Sequence, residues 1–199
     1  MIAPIVLAAG ESTRMGSPKA LLPDRDGRPF VARIVRTCAE AGFDEVTIVT
    51  GTVHARIVAA VAADRPPIAV RFARNPDPSR GQLSSIWTGL DAAVRADTRA
   101  VLVTLVDVPF VSSATVRAVA DAYRRSGAAI VRPAIDGRHG HPVVFDRALF
   151  DALRRADPSA GAKSVLRANA DAIVHVTVDD HGSFVDVDTP DEYQRLLRS

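Results

Sequence analysis

Residues Val6–Leu22 read VLAAGESTRMGSPKALL, and how this stretch folds decides how the rest of the chain is laid out. The apolar run of Ile2 and Ile5–Ala9 stops at Gly10 and passes into a small polar loop holding Arg14, Gly16 and Lys19. A buried strand that opens into such a loop has the pattern of an anion cradle. Gly10 and Gly16 can take backbone angles closed to other residues, so successive N–H groups turn inward around a phosphate while Arg14 and Lys19 supply charge. From the glycines alone, an ordinary turn with Arg14 and Lys19 solvated is the plainer alternative. The spacing is neither the G-x-x-x-x-G-K-[ST] of a P-loop nor the G-x-G-x-x-G of a dinucleotide fold, so kinase-type and dehydrogenase readings lose support.

Downstream, Pro29 opens a helix over Phe30–Ala41 with Val31, Ile34, Val35, Cys38 and Ala41 on one face, and Gly42 ends it. Short apolar runs at Glu45–Val49 and Ile68–Phe72 flank a second helical pattern from Val53 to about Ala63. Asn75–Arg80 (NPDPSR) reads as an irregular loop, and a helix follows from about Leu83 to Arg95. This alternation predicts an α/β fold with a mostly parallel sheet covered by helices on both faces. Val101–Val106 (VLVTLV) is the central-strand candidate, because an unbroken apolar run suits a parallel strand buried on both sides. Asp107 follows at once. Ligands gather beyond the carboxyl ends of such strands, so the phosphate loop and this carboxylate are expected to face each other.

The second half predicts a helix capped by Ser112 or Ser113, a strand Ala128–Arg132, a tight turn Asp136–His141 and a strand Pro142–Phe145 that interrupts the alternation. Helices Arg147–Arg154 and Ala162–Asn169, a strand Ile173–Val178, a strand ending near Asp188 and a terminal helix from Pro190 complete the expectation. Residues 1–199 are expected to form a single domain, long enough to bury a core without disulfides. Cys38 is the sole cysteine and reads as a small buried thiol. Twenty-five basic residues stand against 23 acidic ones without gathering into a stripe, which argues against nucleic acid as a partner. No apolar run reaches the roughly 18 residues of a membrane span and no basic leader precedes one, so the expectation is a cytoplasmic protein without a membrane partner.

Asp107 in LVDVPFV reads as a ligand of Mg2+, an ion that prefers one or two carboxylates together with phosphate and water oxygens. The alternative is a turn or capping aspartate before Pro109. Asp186 and Asp188 in FVDVDTPDEY lie two residues apart on the expected strand and hence on one face, Asp188 being the better second metal ligand unless it caps the last helix. His139 and His141 lack a third partner for a zinc site, and His54, His175 and His181 show no constellation. G-x-S-x-G is absent, which removes the hydrolase reading.

LAAGESTRMGSPKALL resembles the signature L-A-[AG]-G-x-S-x-R-M-G-x-x-K of nucleotidyltransferases, most closely that of the molybdenum cofactor cytidylyltransferase group. NPDPSRGQLSSIWTGL resembles the family's second loop, and GRHGHPVVF its G-x-x-G-[HN]-P-V-x-[FL] segment near the acceptor pocket. The resemblance implies a doubly wound, Rossmann-like fold of the nucleotide-diphospho-sugar transferase type. It implies transfer of CMP from CTP to the phosphate of a molybdopterin-type acceptor, Mg2+ dependent, with release of pyrophosphate. Arg14, Lys19 and Asp107 are then catalytic. Leu7, Ala8, Ala9, Gly10, Arg14, Lys19, Gly81, Ser84 and Ser85 hold the nucleotide, Arg138 and His141 the acceptor, and Asp107 and Asp188 the metal. Ser84 and Ser85 also fit as simple helix caps. Alanine at position 9 resembles the cytidylyl branch, where guanylyl enzymes usually carry glycine. GTP or a sugar or alcohol phosphate remain alternative substrates, and a molybdenum hydroxylase or its chaperone is an implied partner. A non-catalytic nucleotide-binding accessory protein for hydroxylase maturation is the alternative from another class.

Overall fold

Side chains alternate along the strands, and that alternation splits the core into two layers on either side of one sheet. The computed structural model describes residues 1–12, 15–158 and 160–198. The strands are β1 (Ile2–Ala8), β2 (Glu45–Thr50), β3 (Ala69–Arg74), β4 (Ala100–Leu105), β5 (Ile130–Ile135), β6 (Arg138–His139), β7 (Val143–Asp146) and β8 (Ile173–Thr177). The helices are α1 (Phe30–Glu40), α2 (His54–Asp64), α3 (Gln82–Ala93), α4 (Ser113–Ser126), α5 (Phe150–Arg155), α6 (Lys163–Ala168) and α7 (Pro190–Arg198). The eight-stranded sheet runs β3-β2-β1-β4-β7-β5-β6, with β8 also paired to β5.

Strands β3, β2, β1 and β4 are mutually parallel, β7 is antiparallel to both of its neighbours, and β8 runs parallel to β5. The fold is therefore doubly wound, Rossmann-like and mostly parallel. Val6, Ile48, Leu102 and Val144 face the layer of α1, α2 and α4, whereas Ile5, Val49, Val103 and Phe145 face α3, α5 and α6. Leu102 and Val101 in β4 are 0 % exposed, as a central strand buried on both faces requires.

Four expectations need correction. The final segment forms no strand: the 3-10 turn His181–Phe184 leads into irregular chain, because Asp180 captures the backbone N–H of Gly182 at 3.1 Å and turns the backbone there. Asn75–Arg80 is not wholly irregular, since Pro78–Arg80 makes a 3-10 turn that Pro78 enters. The turn at Asp136–His141 contains β6, whose Arg138 and His139 pair with Ile135 and Ala134. The helix expected from Arg147 begins as a 3-10 turn over Arg147–Leu149, capped by Asp146. Among the described residues, no helix is long and apolar enough to cross a membrane. Cys38 is 1 % exposed, and burial pushes its thiol up to about 12.

Candidate active site

Leu7 and Leu105 are register partners in the parallel pair β1–β4, so the chain leaves both carboxyl ends side by side. Val106 N–H donates to the Leu7 carbonyl at 3.0 Å, extending the pairing by one residue and delivering Asp107 opposite the first loop. The loop returns at Lys19, whose N–H donates to Ser12 Oγ at 3.0 Å as the 3-10 turn Lys19–Leu21 begins. Buried Ala20 seats that turn on the core. The Lys19 ammonium then lies 3.5 Å from Asp107 Oδ2 and hydrogen-bonds Asp188 Oδ1. Its side chain is 11 % exposed, whereas those of Asp107 and Asp188 are 29 % and 31 % exposed, so the cation is shielded and the carboxylates stay open to the cavity.

The loop's backbone differs from expectation in one respect. Gly16 has a φ of 68°, but Gly10 does not take a left-handed angle and Ser12 does, at 54°. A Cβ at Gly10 would meet no protein atom within 4 Å, so glycine there is not required by the protein's own packing. Arg14 lies outside the described residues.

A third wall comes from the second loop. Asn75 is 3 % exposed, and its Nδ2 donates to Ser84 Oγ at 2.9 Å and Ser85 Oγ at 3.0 Å, tying the end of β3 to the first turn of α3. Ser84 Oγ also donates to the Gly81 carbonyl at 2.8 Å, so Ser84 holds the turn together and does not line the cavity. Ser85 does line it, as does Gly81, which precedes α3 with a φ of 90°. Together these walls enclose about 350 Å³, and Leu7, Ala8, Ala9 and Gly10 from the first loop border the same space as Asp107 and Asp188. Ser12, Val53, Pro78 and Gln82 also line it, residues that sequence reasoning left aside. Asn75 was missed too, although a polar residue between β3 and a serine-opened helix was the available signal.

Asp188 reaches Lys19 without belonging to a strand. Val187 is 0 % exposed and its N–H donates to the Asp107 carbonyl at 2.8 Å, which fixes the segment against the central loop. Glu192 Oε2 accepts from the N–H groups of Asp188 at 2.9 Å and Thr189 at 2.8 Å, while Glu192 N–H donates to Thr189 Oγ1 at 3.3 Å. This reciprocal capping box makes Thr189 the side-chain cap of α7 and leaves the Asp188 carboxylate directed at Lys19.

A second cavity of about 340 Å³ adjoins the first, the two sharing Gln82 and Leu105. His141 lines it, with Nδ1 buried and without a hydrogen-bond partner among the described residues. Burial holds the His141 imidazole below its ordinary range, against the opposing pull of a hydrogen bond to the Val103 backbone and of the Asp107 carboxylate. Arg138 is not there. Its Nη2 donates to the Phe184 carbonyl at 3.0 Å and its guanidinium sits over the Phe184 ring. The reason is strand alternation: His139 pairs with Ala134 and so shares a face with Arg132, which puts Arg138 on the other face. Arg132, together with Lys163 and Arg167, supplies the cations that line this cavity. His175 also has a partner, its ring lying 4.5 Å from that of His139.

The described residues contain no cluster of three or more metal-ligating side chains. The donor set that exists is the pair Asp107 and Asp188, and Asp107 Oδ1 is buried with no hydrogen-bond partner among those residues. Two carboxylates beside a phosphate-sized cavity suit a hard divalent cation that takes its other ligands from phosphate and water.

A family model described as the MobA-like NTP transferase domain matches residues 4–173. The chain is 36 % identical over 200 residues to nicotine blue oxidoreductase of Paenarthrobacter nicotinovorans, covering 97 % of this chain and 95 % of that protein. It is 31 % identical over 173 residues to a probable molybdenum cofactor guanylyltransferase of Mycobacterium avium, covering 86 % and 81 % of the two chains. Among solved structures it superposes on Rv0371c from Mycobacterium tuberculosis with a TM-score of 0.81 at 31 % identity, covering 100 % of this chain and 97 % of that one. A manganese complex of Rv0371c superposes with a TM-score of 0.76 at 29 % identity, covering 100 % and 98 %.

Proposed function

This chain belongs to the family of MobA-like NTP transferase domains and is a nucleotidyltransferase, and from that premise we propose that it joins a nucleoside monophosphate to the phosphate of a molybdopterin-type acceptor. The observation that carries the reading is the meeting of Lys19, Asp107 and Asp188 where the first loop adjoins the end of β4. An oxygen of the acceptor phosphate attacks the α-phosphorus, the new P–O bond forms, the bond to the β-phosphate oxygen breaks, and pyrophosphate leaves. The attacking phosphate is already anionic, so the site needs in-line positioning and charge neutralisation more than a general base.

In this reading the amides of Ala8–Gly10 face the triphosphate and Lys19 meets the charge that grows on the leaving pyrophosphate. A single cation between two carboxylates leaves the cluster net negative, which repels a triphosphate. Asp107 and Asp188 would hold a divalent cation, Mg2+ in this reading, which would offset their charge and supply Lewis-acid polarisation of phosphate oxygens. Arg14 stays in the proposal as a second phosphate cation, and His141 as an acceptor-side residue.

Two observations bear on the base. Ala9 resembles the cytidylyl branch and favours CTP, whereas relatives named molybdenum cofactor guanylyltransferase favour GTP. The relatives draw on most of the chain and Ala9 on one position, so GTP heads the assay and CTP is its comparator. The proposal treats residues 1–199 as one catalytic domain acting in the cytoplasm, with a molybdenum hydroxylase or its chaperone receiving the product. Pyrophosphate release from each of the four nucleoside triphosphates, with molybdopterin and Mg2+ or Mn2+, tests it. Release dependent on acceptor and metal supports the reading, and nucleotide binding without release favours the accessory-protein alternative.

A further inference from the structure

The second cavity holds a cation with nothing to balance it. Arg132 on β5 is half-buried, its Nε is shielded from solvent, and it makes no hydrogen bond or ion pair with a described residue. Burial lowers the affinity of its guanidinium for the proton, the expected direction for a desolvated cation. Lys163 and Arg167 on α6 stand at the rim, and the described lining contains no carboxylate. Ile86, Val103, Leu105, Val143 and Phe145 make up much of the remaining wall. Shielding part of a guanidinium from water without a partner costs free energy, and an anion entering the cavity would offset that cost.

The cavity adjoins the Lys19–Asp107–Asp188 site, Gln82 and Leu105 bordering both, so an extended ligand at the first site lies within reach of the second. We infer that Arg132 is a specificity-determining residue for the acceptor, pairing with a second anionic group distinct from the phosphate that reacts. Lys163 and Arg167 add charge from the rim, and the apolar wall takes the body between the two anionic ends. The acceptor class is thus a phosphate ester with a largely apolar-faced body and a further negative group. This rests on the transferase reading for the identity of the acceptor, but the cavity's preference for an anion stands apart from it.

Two measurements decide the matter. Inorganic phosphate is titrated into the protein while the 15N resonance of the Arg132 Nε–H is followed, in the wild type and in Lys19→Ala. A saturable shift in both supports the inference, and no shift at tens of millimolar phosphate overturns it. Steady-state kinetics with molybdopterin are then compared for Arg132→Gln and Arg132→Lys. The expected result is an acceptor KM raised at least tenfold in Arg132→Gln and partly restored in Arg132→Lys, with nucleotide KM within about twofold; that tenfold corresponds to about 1.4 kcal/mol. Ligand-free Arg132→Gln should melt at or above the wild-type temperature, since it removes a half-buried cation whose shielded Nε has no hydrogen-bond partner among the described residues. A lower melting temperature with an unchanged acceptor KM would make Arg132 structural and end the proposal. Pyrophosphate release that ignores Arg132 sinks this inference alone, whereas failure to bind any triphosphate sinks the transferase reading and leaves the phosphate titration to stand or fall by itself.

Discussion

Replacing Asp180 tests how the segment bearing Asp188 is held. Asp180 Oδ2 accepts from Ser112 N–H at 2.9 Å, Ser112 Oγ at 2.8 Å and Ser183 Oγ at 3.0 Å, and its Oδ1 accepts from Gly182 N–H at 3.1 Å. One carboxylate therefore joins the start of α4 to the turn that leads to Asp188. A hydrogen bond to a charged group contributes roughly 1.5–3 kcal/mol, but water replaces part of each loss at a half-buried site and the bonds do not add. Asp180→Ala is expected to cost about 3 kcal/mol, which for a chain of this size lowers Tm by roughly 6–12 °C. Asp180→Asn keeps the shape and leaves one donor facing another, at about 1–2 kcal/mol.

The same residue sets a pH dependence. Burial pushes the Asp180 carboxyl up, but hydrogen bonds from Thr115, Ser112 and Ser183 outweigh it and hold the group below its ordinary value. A carboxyl depressed on folding gives stability that is fully present above the unfolded value of about 3.9 and lost as pH falls through the folded one. Urea unfolding across pH 7 to 3 should show the wild type losing stability at the acid end more steeply than Asp180→Asn. Equal stability at pH 7 with the same acid slope in both proteins would refute this account of the Asp180 junction.

Other expectations are simpler. A Cβ at Gly140 would sit 2.2 Å from the Ser183 carbonyl, so Gly140→Ala should cost about 1–3 kcal/mol in urea unfolding and move the hairpin off the turn that precedes Asp188. Asn75→Ala removes the donors to Ser84 and Ser85 inside a buried junction and is expected to cost about 1–3 kcal/mol, with a higher nucleotide KM in the pyrophosphate assay. Cys38, buried and with its thiol pushed up to about 12, should react with a thiol reagent only at the rate of global unfolding; rapid labelling of the native protein would contradict that.

The architecture was largely legible because long apolar runs and amphipathic helices have strong periodicity. VLVTLV declared a strand buried on both faces, and the rule for carboxyl ends brought Asp107 to the first loop. What stayed hidden was decided by hydrogen bonds between distant segments. The chain around Asp186 and Asp188 has the alternation of a strand, but Asp180 and Glu192 capture its backbone locally while Val187 reaches back to the Asp107 loop. Arg138 and Arg132 look equivalent in sequence, and only the pairing of β5 with β6 assigns them to opposite faces. Ser84 and Ser85 are adjacent, yet one is absorbed by the helix turn and the other borders the cavity, a distinction set by a helix rotation of about 100° per residue.

The account depends on Lys19 and Asp107 acting on a triphosphate at the carboxyl ends of β1 and β4. The most direct measurement is single-turnover pyrophosphate release with saturating nucleotide, acceptor and Mg2+, comparing the wild type with Lys19→Met and Asp107→Asn. A fall on the order of a hundredfold or more in both variants, with the fold intact by circular dichroism, is the predicted result. Unchanged turnover in either variant would contradict it.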